Sequence, residues 1–185
     1  MSDGKPRHAF GGSETNPIGC DSNALKPVIQ ILNEALCSHF TLYHQYLKHH
    51  WLVRGPQWRG LHQHLHDFYS QIEADADDIA ERIVMLGGMP EFHPARQVER
   101  STFAFETDPN LPIRGQLEND LVAEMMVCQQ LRRCIQTALQ VHDYGTEHML
   151  KGILRHAEQR ADDLDHLLAD DSLEDNRSAP VRKAA

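Results

Sequence analysis

Apolar residues recur in steps of three and four along four long stretches of the chain, the period of helices that each bury one face. The first stretch opens near Asn23, a candidate cap, with Pro27 in its first turn. It carries Val28, Ile31, Leu32, Ala35, Leu36, Phe40, Tyr43, Leu47 and Trp51, and it stops at Arg54-Gly55-Pro56. The second runs from Trp58 to Leu86 through Leu61, Leu65, Phe68, Ile72, Ala76, Ile79 and Ile83. Gly87-Gly88 and Pro90 end it. The third covers about Arg114 to His142. The fourth opens near Thr146, read as its capping residue, and fades near Asp170. No segment alternates as a strand would.

The connections decide how these helices are arranged. Two are short, at Gly55-Pro56 and at Asp143-Tyr144-Gly145, so the helices that they join form antiparallel hairpins. The middle connection runs from Gly87 to about Ile113, contains four prolines, and has room for a short helix near Ala95 to Arg100. A linker that long can travel the length of a bundle. Two hairpins joined by one long crossover make an all-α, ferritin-like four-helix bundle. The expected organisation is a flexible tail over 1–22, the bundle over 23–169, and a second flexible tail over 170–185.

Composition narrows the class. The chain has 185 residues, 41% of them hydrophobic, enough for one sizeable core. No apolar run suits a membrane span, and the first residues lack the apolar stretch of a secretory leader, so a cytoplasmic location is expected. Cys20, Cys37, Cys128 and Cys134 include no Cys-x-x-Cys pair. Three of them fall inside helical patterns and read as buried thiols. The net charge of −9 repels nucleic-acid phosphate and attracts cations. Thirteen histidines are the unusual total, and position must decide which of them bind anything.

On a helical wheel of the second stretch, with His62 at 0°, His66 lies at about 40°, Asp77 at about 60° and Glu81 at about 100°. The apolar stripe centres near about 280°. His62 with His66, and Asp77 with Glu81, are i, i+4 pairs with ligand spacing. Such pairs also occur on any solvated helix face. The two pairs are separated by about 22 Å along a straight helix and cannot share an ion within one chain. Two antiparallel copies about a two-fold axis near Gln71-Ile72 would bring each His pair to the other's acid pair. His50, at the end of the first helix, can swing toward the same place. Three imidazoles and two carboxylates suit Fe(II) or zinc better than magnesium or calcium. A rival site inside the bundle would use Glu-x-x-His pairs, and the sequence has none. Asp143 and Glu147, near the second short turn, are candidates for lining a cation pore.

These residues carry a family resemblance. His50-Trp51-Leu52-Val53-Arg54-Gly55-Pro56, His62, Asp77-Asp78-Ile79-Ala80-Glu81-Arg82 and Leu86-Gly87-Gly88 resemble the Dps proteins, the miniferritins named for DNA protection in starved cells. The ordered match spans about residues 27 to 169. The resemblance implies a homododecameric shell with a ferroxidase centre at each two-fold interface. It also implies oxidation of Fe(II) by hydrogen peroxide or oxygen, and ferric storage inside the shell as protection against oxidative stress. It assigns His50, His62, Asp77 and Glu81 as ligands, with Glu81 able to bridge two ions, and Trp51 as the aromatic beside the site.

One position departs from the pattern: His66 stands where most members have a carboxylate. It is read as a fifth ligand in a His-type variant of the centre, which favours softer ions and lets zinc compete. DNA binding, which some members achieve through basic tails, is not expected. Lys5 and Arg7 are offset by Asp3, Glu14 and Asp21. Arg177, Arg182 and Lys183 are offset by Asp170, Asp171, Glu174 and Asp175. A non-catalytic, zinc-stapled shell and a DNA-compacting protein are the competing readings.

Overall fold

A computed structural model describes residues 15–169, and most of the expected tail over 1–22 and all of that over 170–185 lie outside them. Five helices follow one another: α1 (Ser22–Leu52), α2 (Trp58–Met85), α3 (Pro94–Arg100), α4 (Ile113–Gln140) and α5 (Tyr144–Leu168). There is no strand among the described residues. The four long helices form the ferritin-like bundle, and α3 is the short helix of the crossover. None of these helices is long and apolar enough to cross a membrane.

Two helix starts differ from expectation, each for a capping reason. Asp21 caps α1, its carboxylate accepting from Asn23 N at 2.9 Å. The helix therefore begins at Ser22, and Pro27 falls inside it, where its missing N–H removes one helical hydrogen bond. Asp143, not Thr146, caps α5: its Oδ1 accepts from Thr146 N at 3.0 Å. Arg82 on α2 donates to the same oxygen at 2.6 Å and to Thr146 Oγ1 at 2.8 Å. Asp143 is thus buried and paired. Within the subunit its charge is committed to Arg82 and the helix end.

The stripe on α2 is buried as the wheel requires. Leu61, Leu65, Phe68, Ile72, Ala76, Ile79, Ile83 and Leu86 all lie in the core, and Cys37, Cys128 and Cys134 are buried with them. After α2, Gly87 adopts φ 85°, and Gly88 lies so close to Ile29 that a Cβ there would meet its Cγ2 at 2.6 Å. The chain then returns along α1. A row of polar residues on α1 holds it down. Asn33 bridges Met89 O at 3.1 Å and Glu91 N at 2.7 Å. Ser38 meets Thr102, and Gln45 accepts from Glu106 N at 3.1 Å. Lys48 donates to the carbonyls of Glu106 and Asp108. The crossover therefore runs parallel to α1 and delivers α4 to the end of the bundle that holds His50.

Candidate metal centre

The turn between α1 and α2, with Gly55 at φ 106°, sets the last turns of α1 against the first turns of α2. His50 and His62 meet there with their rings stacked, centroids 3.6 Å apart and planes at 21°. Each ring bonds the other residue's backbone: His50 Nδ1 to the His62 carbonyl at 2.9 Å, and His62 Nδ1 to the His50 carbonyl at 3.0 Å. A carbonyl only accepts, so each Nδ1 carries the proton and each Nε2 keeps its lone pair. The His50 carbonyl is one of the four that a helix leaves unpaired at its C-terminus, so the bond also closes α1. Burial lowers the His50 pKa from its ordinary value, the backbone bond to His62 opposes that, and the neighbouring His62 and His66 add to the lowering, which favours the neutral imidazole. A metal needs that form of the ring, and backbone orientation of the second nitrogen is how ligating histidines are usually held.

His66, one turn further along α2, has its ring centroid 5.8 Å from that of His50. Its Nδ1 makes a short hydrogen bond with the hydroxyl of Tyr69. Tyr69 also packs edge-on against His50, with ring centroids 5.3 Å apart. If His66 Nδ1 donates to Tyr69, its Nε2 is free to ligate; if Tyr69 donates, Nε2 carries the proton. The ring packed against His62 is that of Trp58, 5.8 Å away, whereas Trp51 is 70% exposed. The sequence reading named neither Tyr69 nor Trp58 as a neighbour of the site. Their signal was the i, i+3 and i, i+4 spacing from His66 and His62.

The three imidazoles come together, and the acid pair does not join them. Asp77 and Glu81 are exposed, fifteen residues or more beyond His62 on the same helix. No hydrogen bond or ion pair engages either within the subunit, among the described residues. Nor do the described residues of one chain contain three His, Cys, Asp or Glu side chains placed to hold an ion. The subunit presents two separated halves.

The interior holds a second polar system that the sequence reading passed over. Arg160, 1% exposed, donates through Nε to Glu124 Oε1 at 2.6 Å and through Nη2 to Oε2 at 3.3 Å. Its Nη1 reaches Gln71 at 2.8 Å and Asp75 at 3.4 Å. Tyr46 donates to Glu124 at 3.0 Å, and His156 bonds Asp75 at 2.8 Å. Asp75, in an acidic stretch with the exposed Asp77 and Asp78, is itself buried and paired. The missed signal was register. Glu124 continues the Leu117, Leu121, Cys128, Leu131 series, and Arg160 continues Leu150, Ile153, Ala157, Leu164. A charge in core register must find a partner.

His49, beside His50 in sequence, is fully buried between Asp120 at 2.8 Å and Glu106 at 3.1 Å. Burial opposes its charge, but the hydrogen bonds and charge of Asp120, with Glu106, outweigh that and raise its pKa.

Comparison with known proteins agrees with this fold. The ferritin family profile, a ferritin-like domain, matches residues 29–173. A nutrient stress-induced DNA-binding protein from Synechococcus is 37% identical over 165 residues, covering 89% of this chain and 94% of that protein. The crystal structure of an archaeal Dps homologue from Halobacterium salinarum superposes with a TM-score of 0.89 at 30% identity, covering 95% and 98% of the two chains. DpsC from Streptomyces coelicolor superposes at 0.87 with 25% identity, covering 92% and 100%.

Proposed function

The chain belongs to the ferritin-like family, in its Dps branch, and from that premise we propose that it oxidises Fe(II) at sites shared between two subunits and stores the ferric product inside a closed homo-oligomeric shell. The observation that carries this reading is the His50–His62 pair, with both Nδ1 protons committed to backbone carbonyls and both Nε2 lone pairs left available. Iron is the substrate. His50, His62 and His66 of one subunit, with Asp77 and Glu81 of a second copy, form the ligand set. The copies lie antiparallel about an axis near Gln71-Ile72, so one contact forms two equivalent sites. The carboxylates supply the negative charge that lowers the cost of reaching Fe(III), and the neutral imidazoles hold the ferrous ion. With peroxide as oxidant, each of two ferrous ions gives up one electron, the O–O bond breaks, and two protons complete two waters. Oxygen is the alternative acceptor.

The names of the relatives speak of DNA binding and of DNA protection, and sequestering iron from peroxide protects DNA without contact. The balanced charge of the two tails favours this indirect route over a DNA-compacting one. Twelve subunits is the size that the family suggests. Residence in the cytoplasm fits the sequence.

The test is stopped-flow Fe(II) oxidation by Glu81→Gln and His62→Ala shells. Both residues lie outside the core, so the helical content should match the parent. The initial rate should fall at least about tenfold, since even outer-shell changes at metal sites cost that much. Parent-like rates in both variants, or a stable monomer at micromolar concentration, would overturn the assignment.

A further inference from the structure

The three imidazoles of the surface centre are not held alike. Nδ1 of His50 and Nδ1 of His62 face backbone carbonyls, which only accept, so the tautomers of these two rings are fixed. Nδ1 of His66 faces the hydroxyl of Tyr69, which either donates or accepts. No other hydrogen bond to the His66 ring occurs among the described residues, so its tautomer follows the direction of this one bond. The Tyr69 ring itself is boxed in. It packs edge-on against His66, His50 and Tyr43, with centroids 4.9, 5.3 and 5.9 Å away. What stays free is the direction in which its hydroxyl proton points.

A phenolic O–H is a better donor than the N–H of a neutral imidazole, and an imidazole nitrogen is a better acceptor than a phenol oxygen. Without an ion, Tyr69 therefore donates to Nδ1, and the His66 proton sits on Nε2, where it blocks ligation. His66 offers Nε2 to an ion only when its proton moves to Nδ1 and the hydroxyl turns to accept from it. The pair carries the same number of protons in both settings. We propose that the Tyr69–His66 hydrogen bond reverses when an ion enters the site, which makes Tyr69 a positioning residue that holds the third imidazole in reserve. The inference rests on the shared-site reading above. His50 and His62 are ready ligands, and His66 is a conditional one. Reversal exchanges a stronger hydrogen bond for a weaker one, so it lowers the affinity for every ion that uses His66. Tyr69→Phe keeps the ring packing and removes the hydroxyl, so it should tighten binding by about two- to tenfold, the range that one net hydrogen bond spans.

The test is Raman spectroscopy of assembled shells, chelated and then loaded with Zn²⁺. The intensity ratio of the tyrosine Fermi doublet reports whether a phenol donates or accepts, and subtracting the Tyr69→Phe spectrum isolates Tyr69 from the other tyrosines. The donor ratio is expected in chelated shells and the acceptor ratio after Zn²⁺. The zinc-induced change in the parent, absent from His66→Ala, reads the same reversal without the phenylalanine variant. Zn²⁺ affinity is measured alongside by competition with a chromophoric chelator. Tyr69→Phe should bind Zn²⁺ more tightly than the parent, yet change nothing in a His66→Ala background, where a merely structural effect would persist. His62→Ala is the control for the site itself. If it leaves Zn²⁺ affinity unchanged, the shared-site reading falls and this proposal with it. If it abolishes binding while the parent's Tyr69 signal does not move on loading, the reversal alone is overturned. An acceptor ratio already present in chelated shells, or equal or weaker Zn²⁺ binding by Tyr69→Phe, would also overturn it.

Discussion

Acidification should destabilise this protein through His39, a residue outside the candidate surface centre. The ring is wholly buried, and burial holds its pKa down to about 4 from the ordinary 6.5. The folded chain refuses a proton that the unfolded chain accepts. The contribution of neutral His39 is therefore whole above pH 6.5, is lost as pH falls through that value, and is gone near pH 4. At about 1.4 kcal/mol per pH unit, the interval is worth about 3 kcal/mol in full, and about 2 kcal/mol of it is lost by pH 5. His39→Leu removes the titrating ring while keeping similar bulk. Asp75 and Arg160, whose charges act on the ring in opposite senses, are present in both proteins, as are the other titrating groups, so their own titrations largely cancel in the comparison. The assay is urea unfolding at about pH 7.5 and pH 5, at one fixed protein concentration because assembly contributes to the midpoint. The variant should lose about 2 kcal/mol less than the parent between the two conditions. Equal losses would show that His39 is not held neutral by its surroundings, and the argument from burial would fail.

Three further outcomes are expected. Stoichiometric Zn²⁺ should slow Fe(II) oxidation sharply in the parent and less in His66→Asp, because zinc outranks ferrous iron at nitrogen ligands and cannot be oxidised; identical titration curves would remove His66 from the ligand set. Asp143→Ala should cost about 3 kcal/mol in a denaturant titration, since it strips the α5 cap and leaves Arg82 half-paired, and a loss under about 0.5 kcal/mol would refute that account. DNA binding should be undetectable by gel shift at physiological salt, and a tight complex there would show that the tails act as arms despite their balanced charge.

The four long helices and the crossover were legible because each long helix keeps a 3.6-residue apolar period and the first two breaks carry glycine and proline, whereas the third, over 141–143, turns through His142 at φ 59° with Gly145 just inside α5. The three imidazoles were legible for a related reason: His62 and His66 share a wheel face, and the short turn returns His50 to them. What escaped was every polar group whose partner lies on a distant helix. His39 and Tyr46 fall in the same three-and-four series as Leu32, Ala35 and Leu42, and Glu124 and Arg160 fall in equivalent series on α4 and α5. Periodicity finds the buried face. It does not say which acid meets which base across it, because that depends on the relative height of helices far apart in sequence. Arg82 with Asp143 was hidden in the same way, so the α5 cap was assigned to Thr146.

The separation of the two surface halves has a thermodynamic consequence on the reading proposed above. Neither the imidazoles at one end of α2 nor the acids nearer the other hold an ion within one subunit, so metal affinity belongs to the pair of subunits. An ion that binds the pair and not the separated chains stabilises the contact by RT ln(1 + [L]/Kd), about 2.7 kcal/mol per site at a hundredfold excess over Kd. Two equivalent sites per contact double that figure. Metal loading then tightens the shell, and chelation should lower its dissociation midpoint. Glu81→Gln shells should be indifferent to chelation, because they start without that contribution. A shell whose dissociation is unchanged by chelation in the parent would mean that the halves do not meet, however well each is formed.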